Sequence, residues 1–574
     1  MNDFCLKLRL CGAAGQGLKT AAQLLGKAVT RSNLWAHCYS EVESRVRGGV
    51  NSQQFLISSK PRREVRKKVD LLLATSQEAL DASQGDLETN GFSLGPNGEP
   101  LGLERAAKEA GSVKVISTVA LAAAGALLSL KKEILKDLIE ETFASRGEKI
   151  LQMNLAALDL VYEKLPPLPS IPSSTPAGSD NSSSTPAGSD GSKGLLWMSG
   201  HEALSLGAIA GGVSFIAAYP MSPATSCLMD LQKSAKETGV VALQCEDEIA
   251  AINMLAGASF AGARAMTATS GGGFSLMTEG LSLIGEIEAP AVIILAQRPG
   301  PATGMATKTA QEDLWQAVYG GHGYFPRIVL APRDIEDSFH LGAQAFALAE
   351  RYQVAVILLT SQLLQESYAT VEEPSLEALP RKRSILSKEE LEDMEDYCRY
   401  ALCPGGVSPL AFPGSSRHRV MADSHTHDER GHLSESPAIA EAMAEKKLAK
   451  ERSIAAASFP LEVEGDLENN YLLVSFGSNY ESIRHSRRVI EQNGSRPPAQ
   501  LHVRWLWPPP REALREILSS SKGYIVIENS VGAVFADYLE SFGKKEALLK
   551  LSKVNGRPFY TEEILSRLEE ELGL

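Results

Sequence analysis

"QCEDEIAAINMLAGASFAGARAMTATSGGGF" (residues 244–274) opens on three acidic residues and then runs through small and apolar ones almost without a break. The part after Asp247 has the composition of a buried helix, and it leads into "ARAMTATSGGG" (263–273). A carboxylate at the mouth of such a helix is either an ordinary helix start, favoured by the positive end of the peptide dipole, or a group whose chemistry needs partial removal from water.

The surroundings decide the fold. Upstream, "HEALSLGAIAGG" (201–212) reads as a helix and "VSFIAAYP" (213–220) as a strand closed by a proline turn. Downstream, "APAVIILAQRPGP" (289–301) and "PRIVLAPR" (326–333) read as strands, "DIEDSFHLGAQAFALAERYQ" (334–353) as a helix and "VAVILLTSQ" (354–362) as a closing strand. Alternation of this kind predicts a largely parallel, doubly wound sheet over 195–375. Residues 376–455 are charged and read as an irregular connecting segment. From 456 to 574 alternation resumes, with "NYLLVSFGS", "AQLHVRWLWPPP" and "KGYIVIENS" as strands between helical stretches, so this is a third α/β unit. Residues 1–165 form another, in which "CLKLRLCG", "QQFLISS", "DLLLATS" and "SVKVIST" (112–118) read as strands. Between them lies "PPLPSIPSSTPAGSDNSSSTPAGSDGSKG" (166–194), with SSTPAGSD duplicated. A segment so poor in large apolar residues cannot offset its ordering entropy, so a flexible linker is expected.

The chain has 574 residues and a net charge of -13, which argues against a nucleic-acid binder. The most apolar run, "VISTVALAAAGALLSL" (115–130), is short for a bilayer span of roughly 20 residues and reads as a core helix. The seven cysteines are scattered and form no CxxC pair, which favours reduced thiols in the cytoplasm and disfavours a cluster held by this chain alone.

Three stretches can carry chemistry. In "LCGAAGQGLKT" (10–20), Gly12, Gly15 and Gly17 follow a strand and open a helix, where free N–H groups can meet a phosphate. The spacing is G-x-x-G-x-G, not the dinucleotide fingerprint, and a plain tight turn is an equal reading. "YSEVESRVRGG" (39–49) places Arg45, Arg47, Gly48 and Gly49 in a second loop that is either anion-facing or simply solvated. "AAYPMSPATS" (217–226) puts Ser222, Thr225 and Ser226 just past a strand end, where open α/β sheets bind ligands; the alternative is a proline turn with helix-capping hydroxyls. "ILAQRPGPATGMATKT" (294–309) puts Arg298 at another strand end, able to grip a carboxylate through paired hydrogen bonds or to serve as a surface ion-pair partner. "EGDLENN" (464–470) is too tight for a metal–diphosphate motif and reads as a polar turn. His418, His425, His427 and His432 have a spacing that can hold a metal, but they lie in an irregular charged segment, and no metal site is assigned.

Taken together, "GHEALSLGAIAGG", "YPMSPATS", "EDEIAAINMLAGASFAGARAMTATSGGGFSLMTEG", "QRPGPATGMATKT" and "GGHGYFPRIVLAP" resemble the α subunit of 2-oxoacid:ferredoxin oxidoreductases, in particular the 2-oxoglutarate branch. "GAAGQGLKT" and "SRVRGG" resemble the γ subunit of the same enzymes, so the chain resembles a γ–α fusion with the repeat linker at the joint. The resemblance implies a γ-type domain, a domain binding the pyrimidine half of thiamine diphosphate, and a transketolase C-terminal-like domain. It also implies the reaction: reversible, coenzyme A-dependent oxidative decarboxylation of a 2-oxoacid, with electrons passing to ferredoxin. Pyruvate or another oxoacid shares this chemistry. The competing readings are a nicotinamide-dependent dehydrogenase and a non-catalytic scaffold.

Carried over residue by residue, the family pattern makes Glu248 the proton partner of the aminopyrimidine ring, with Glu246 and Asp247 as first-turn helix acids. Ser222 stands where the family has a substrate-facing Thr, and Arg298 matches the arginine that receives the substrate carboxylate. Gly12, Gly15, Gln16 and Gly17 remain of the glycine-rich turn implied to contact coenzyme A, with Ala14 replacing one glycine. "SGGGF" replaces the more usual "SGPGF", and His201 stands where Asn is common. The metal–diphosphate motif, with its Mg2+, and the iron–sulfur cysteines are expected on a separate β subunit. The active site should then form across a subunit interface, in an assembly of the (αβ)2 kind.

Overall fold

The structure, a computed structural model, describes residues 4–43, 49–168, 194–377, 379–380, 382–543 and 545–573. Most of the expected linker, and Arg45, Arg47 and Gly48, lie outside the described residues. Two compact units divide the chain: Met1–Ser199 with Glu366–Pro374 and Tyr560–Glu571, and Gly200–Gln365 with Ser375–Phe559 and Leu572–Leu574.

The first unit is built on a seven-stranded sheet in the order Leu87–Leu94, Val69–Ala74, Cys5–Ala13, Val50–Ser58, Trp35–Glu41, Tyr368–Glu372, Leu195–Ser199. The first three strands run parallel, and the remaining pairings are antiparallel. The helices Leu18–Arg31 and Ile116–Leu127 contribute to its apolar core. The apolar run at 115–130 is the core helix expected of it, buried nearly all round. The strand predicted at 112–118 does not form. Ser112 accepts a hydrogen bond from the Lys114 N–H, a single 3-10 turn covers Val113–Val115, and the helix begins at Ile116. Local capping and all-round burial outweigh the β-branched composition of that stretch.

The second unit holds two sheets. The larger has the order Trp505–Trp507, Arg327–Leu330, Ala355–Ser361, Ala291–Gln297, Ala265–Thr269, Phe215–Ala218, Val241–Gln244. All neighbours are parallel except the Trp505–Trp507 edge. It is covered on both faces, as a continuous apolar strand requires. In Ala291–Gln297, Ala291, Ile293 and Leu295 enter one core, while Val292, Ile294 and Ala296 enter the other. The smaller sheet, in the order Val463–Glu464, Ala499–His502, Tyr471–Ser475, Gly523–Glu528, Leu549–Ser552, is parallel apart from its first strand. The stretch "AQLHVRWLWPPP" serves both sheets: Ala499–His502 pairs in the smaller, and Trp505–Trp507 crosses to the edge of the larger.

The segment 376–455 is less irregular than its composition predicts, because its C-terminal end belongs to the helix Pro437–Ala456. Its lysines mislead the reading: Lys446 and Lys450, one turn apart, are buried and paired with Glu288 instead of facing water. No described helix is long and apolar enough to cross a membrane.

Candidate active site

In the larger sheet, Phe215–Ala218 lies between Val241–Gln244 and Ala265–Thr269, with Ala291–Gln297 next in line. The chain leaves the first of these strands toward one edge and returns on the other side of it. That is a topological switch point, beyond whose carboxyl edge open sheets form their binding crevice. Four strand ends meet there. They deliver Cys245–Glu248, Tyr219–Ser226, Ser270–Gly273 and Arg298–Gly304.

Glu248 is the first residue of the helix Glu248–Phe260. The helix start differs from the sequence reading by one step. Asp247 has an extended backbone and is the N-cap, its carboxylate accepting the Ala250 N–H at 2.7 Å, while Glu246 lies outside the helix. Capping is thus complete without Glu248. That residue is only 4% exposed, and its Oε1 has no hydrogen-bond partner among the described residues. A buried carboxylate oxygen left unpaired is costly, so it marks a place where a partner from outside the chain belongs.

The oxygen lies against Gly273, in the first turn of the helix Gly271–Glu286. A Cβ on Gly273 would stand 2.6 Å from Glu248 Oε1 and 2.2 Å from Thr269 Oγ1. Glycine is therefore required there by the carboxylate itself. Gly272, where the family usually has proline, is different: a Cβ there meets nothing nearer than the Ala302 oxygen at 3.8 Å. That departure leaves the walls of the site intact. His201, the other departure, is met by Asp230, whose Oδ2 lies 2.7 Å from His201 Nδ1 and accepts the Ser205 hydroxyl at 3.3 Å.

Ser222 and Arg298 come together. Arg298 Nη1 donates to the backbone oxygen of Ser222 at 2.6 Å, so this contact uses the carbonyl and not the hydroxyl. Arg298 is half-buried and forms no ion pair among the described residues. Burial holds its guanidinium below the usual arginine range, with Asp313 acting in the opposite direction. A desolvated guanidinium without a carboxylate partner is a ready receptor for one.

Asp313 is the residue the sequence reading missed. It precedes the short helix Leu314–Tyr319 in "TAQEDLW" and has the look of a capping acid, yet it makes no cap hydrogen bond. Its carboxyl instead lies on the Cα of Gly271, where a Cβ would meet Oδ1 at 2.5 Å and Oδ2 at 2.7 Å. Oδ2 is buried and unpartnered, as is the hydroxyl of the adjoining Ser270. Burial and the neighbouring Glu312 push the Asp313 carboxyl up to about 7 against the pull of Arg298. The second glycine stretch, "SGGGF", was the available signal: both carboxyls rest on it, one at Gly271 and one at Gly273.

In the first unit the glycine turn at 12–17 is built otherwise. Gln16 Oε1 accepts the Ala13 N–H at 2.9 Å and the Thr75 hydroxyl at 2.5 Å, folding the side chain back onto the sheet. Gly12 is needed because a Cβ would collide with Thr75 Oγ1. Gly17, the left-handed N-cap of Leu18–Arg31, abuts Ser117, whereas Gly15, at φ +85°, faces open space. The two loops singled out in this unit do meet, through Ala14 N–H to Gly49 O at 3.3 Å.

Among the described residues no three His, Cys, Asp or Glu side chains converge on a point that would hold a metal ion. The histidines of the 417–432 segment have local partners. His427 packs on the Tyr400 ring at 4.0 Å and reaches the carbonyl oxygens of Asp428 and Glu286. Glu429 accepts the Leu402 N–H at 2.8 Å. The segment thus anchors the connecting region to the far end of the Gly271–Glu286 helix.

Known proteins resemble this chain over nearly its whole length. Residues 206–446 match the family model described as pyruvate flavodoxin/ferredoxin oxidoreductase, thiamine diphosphate-binding, and residues 7–164 match that for pyruvate ferredoxin/flavodoxin oxidoreductase. The α subunit of a 2-oxoacid:ferredoxin oxidoreductase from Sulfolobus sp. is 30% identical over 96% of this chain and 95% of its own length. The chain belongs to this family. Among other 2-oxoacid:ferredoxin oxidoreductase relatives, the 2-oxoglutarate synthase subunit KorA of Methanothermobacter marburgensis is 28% identical over 65% of this chain and 98% of its own length. A solved 2-oxoglutarate:ferredoxin oxidoreductase from Magnetococcus marinus, with 2-oxoglutarate, coenzyme A and succinyl-CoA bound, superposes with a TM-score of 0.87 and 28% identity, covering 99% of both chains. The α/β fold class and the family resemblance read from the motifs agree with these matches. The side chains at the carboxyl edge also fit the thiamine group. A buried carboxylate oxygen, unpaired and facing a bare glycine, is the acceptor that an aminopyrimidine ring requires.

Proposed function

We propose that this α subunit, with its γ-type domain fused, catalyses the reversible oxidative decarboxylation of 2-oxoglutarate to an acyl-coenzyme A and CO2, delivering electrons to ferredoxin. The observation that carries the reading is the meeting, at one sheet edge, of a buried carboxylate, Glu248, whose Oε1 has no hydrogen-bond partner among the described residues, and an arginine, Arg298, that forms no ion pair among them. The first suits a cofactor ring and the second a substrate carboxylate. The 2-oxoglutarate-specific relatives favour that oxoacid over pyruvate.

Thiamine diphosphate, when bound, supplies the electron sink for loss of CO2. Glu248 Oε1 holds the proton shared with the aminopyrimidine. Arg298, fixed by the Ser222 carbonyl, orients the oxoacid by its carboxylate, with the Ser222 hydroxyl beside it. The open backbone at Gly15, with Gly12, Gln16 and Gly17 shaping the turn, receives coenzyme A.

A separate β subunit completes the site. Mg2+ and the iron–sulfur cluster belong to that partner, in keeping with the family resemblance of this chain's motifs. Exposed apolar side chains lie on the elements that carry the site: Ile249 and Met254 on the Glu248 helix, Leu276 on the glycine-led helix, and Val241 and Leu243 on the edge strand. Such a patch is what a partner subunit covers. The complex works in the cytoplasm, in an assembly of the (αβ)2 kind.

The test is reconstitution. Co-expressed with its β subunit and supplied with thiamine diphosphate, coenzyme A and 2-oxoglutarate, the chain should reduce ferredoxin or a viologen, and alone it should not. A complex that turns over pyruvate at equal or higher kcat/KM would overturn the substrate assignment. Wild-type activity after Arg298→Gln would overturn the placement of the oxoacid.

A further inference from the structure

Arg298 and Asp313 pose an electrostatic question that the reaction itself leaves open. The guanidinium is half-buried with no ion pair among the described residues, and Asp313, whose backbone N–H donates to the Oε1 of the adjoining Gln297 at 3.1 Å, is the acid whose charge opposes the effect of burial on it. Asp313 is itself poorly satisfied. Its Oδ2 has no partner, its carboxyl does not cap its own helix, and it is pressed onto Gly271 beside the unpartnered hydroxyl of Ser270, which is wholly buried. An arriving 2-oxoacid carboxylate would bring a second negative charge to the same cation. Two carboxylates sharing one desolvated site cannot both ionise freely.

We propose that Asp313 is the internal counter-acid of Arg298, and that the substrate carboxylate binds together with one proton, taken from solvent onto Asp313. The proposal rests on the reading of Arg298 as the substrate-carboxylate receptor. The groups facing Asp313 support it. From the loop after Ala291–Gln297 comes Arg298. From its own segment comes Glu312, whose oxygens accept the Gly300 N–H at 3.2 Å and the Val531 N–H at 3.3 Å. From the Gly271–Glu286 helix come Gly271, Gly272 and Gly273, which carry nothing titratable, and beyond Gly273 lies Glu248. Burial favours the protonated acid and Arg298 the ionised one, so both forms are accessible near neutrality. The substrate's own charge then tips the balance. No bond of the oxoacid is made or broken; Asp313 gains an O–H bond to a proton given up by solvent as the oxoacid leaves it.

The test uses the assembled enzyme. KM for 2-oxoglutarate should rise with pH above neutrality, approaching on the order of tenfold per pH unit, as linkage to one proton requires. Asp313→Asn should flatten that slope. In the wild-type complex, oxoacid binding measured calorimetrically at pH 8 in two buffers of different ionisation enthalpy should show uptake of about one proton, a readout that needs no variant to fold. Zero uptake, or an Asp313→Asn variant that keeps the wild-type slope while Arg298→Gln raises KM, would overturn the role of Asp313 alone. If Arg298→Gln leaves KM unchanged, the substrate receptor is misplaced, and the proposal falls with it.

Discussion

Two buried glutamates, Glu248 and Glu288, stand in the same unit and are built to opposite ends. Glu288 accepts from Lys446 and from Lys450, the latter at 2.6 Å, and its backbone oxygen takes Arg399 Nη2 at 2.8 Å. Burial alone would push its carboxyl up, but the Lys450 and Lys446 ammoniums, with Arg399, outweigh it and hold it well below the usual carboxylate range. Glu248 is as deeply buried and has an oxygen with no partner at all. Burial therefore does not distinguish a structural acid from a working one; satisfaction does. The fully paired group ties the Pro437–Ala456 helix to the body of the unit, and the unpaired one is, in the proposed reading, kept for the cofactor ring.

Substitution at the two sites should separate activity from stability. Glu248→Gln in the reconstituted complex should lower kcat by about 10²- to 10⁴-fold, the span typical of a lost acid–base group. Its unfolding midpoint should match the wild type, because Oε1 has no hydrogen bond among the described residues to lose. Glu288→Gln should do the reverse. It leaves two buried ammoniums without a counter-ion and should cost about 3–5 kcal/mol of stability, read by denaturant unfolding. Replacing Glu288, Lys446 and Lys450 together by apolar residues of similar volume should recover most of that loss. A Glu248→Gln variant that loses stability but keeps its rate would erase the contrast.

A finer contrast lies within "SGGGF". Gly273→Ala drives a methyl into Glu248 Oε1 and Thr269 Oγ1 and should reduce kcat/KM by roughly 10- to 100-fold, on the scale of a displaced catalytic group. Gly272→Ala meets open space and should leave the rate within about twofold, with a gain of up to ~1 kcal/mol in helix stability. Equal losses in both variants, measured side by side, would show that the turn matters for its backbone freedom and not for its contact with Glu248.

How far the sequence carried this reading depended on which kind of order each residue obeys. Strand–helix alternation is local, so the doubly wound sheet, the positions of Ser222 and Arg298 at strand ends and that of Glu248 at a helix mouth were legible. Glu248 could be told from Glu246 and Asp247 because only it directly precedes the apolar helix. Asp313 could not be read, because an acid before a short helix is the commonest of capping patterns; its exclusion from that role depends on Gly271, more than forty positions away. Lys446 and Lys450 were hidden for a like reason. A lysine pair one turn apart describes a solvated face unless its acid is known, and Glu288 lies more than 150 residues upstream. The segment at 112–118 had strand composition, but its structure was settled by burial against the rest of the first unit.

Asp313 offers the smallest effect and the sharpest form of the comparison, since it lies between the two glutamates in how well it is satisfied. Its carboxyl is raised from 3.8 to about 7 in the folded chain. Between those values the folded state binds more protons than the unfolded one, so this residue makes stability fall as pH rises from about 4 to 7 and leaves it lowered above that range. Glu288 has the opposite sign: its contribution is present above the ordinary glutamate value and is lost as pH falls toward its depressed one. Asp313→Asn should therefore stabilise the chain by on the order of 1 kcal/mol at pH 8, less at pH 5, and not at all below about pH 4, where both states carry the proton. Unfolding midpoints of variant and wild type across that range measure the difference directly. A gain that grows with pH identifies Asp313 as a group whose ionised form Arg298 offsets only in part, which is the condition for a substrate to change its charge. A constant offset at every pH would mean that only packing had changed.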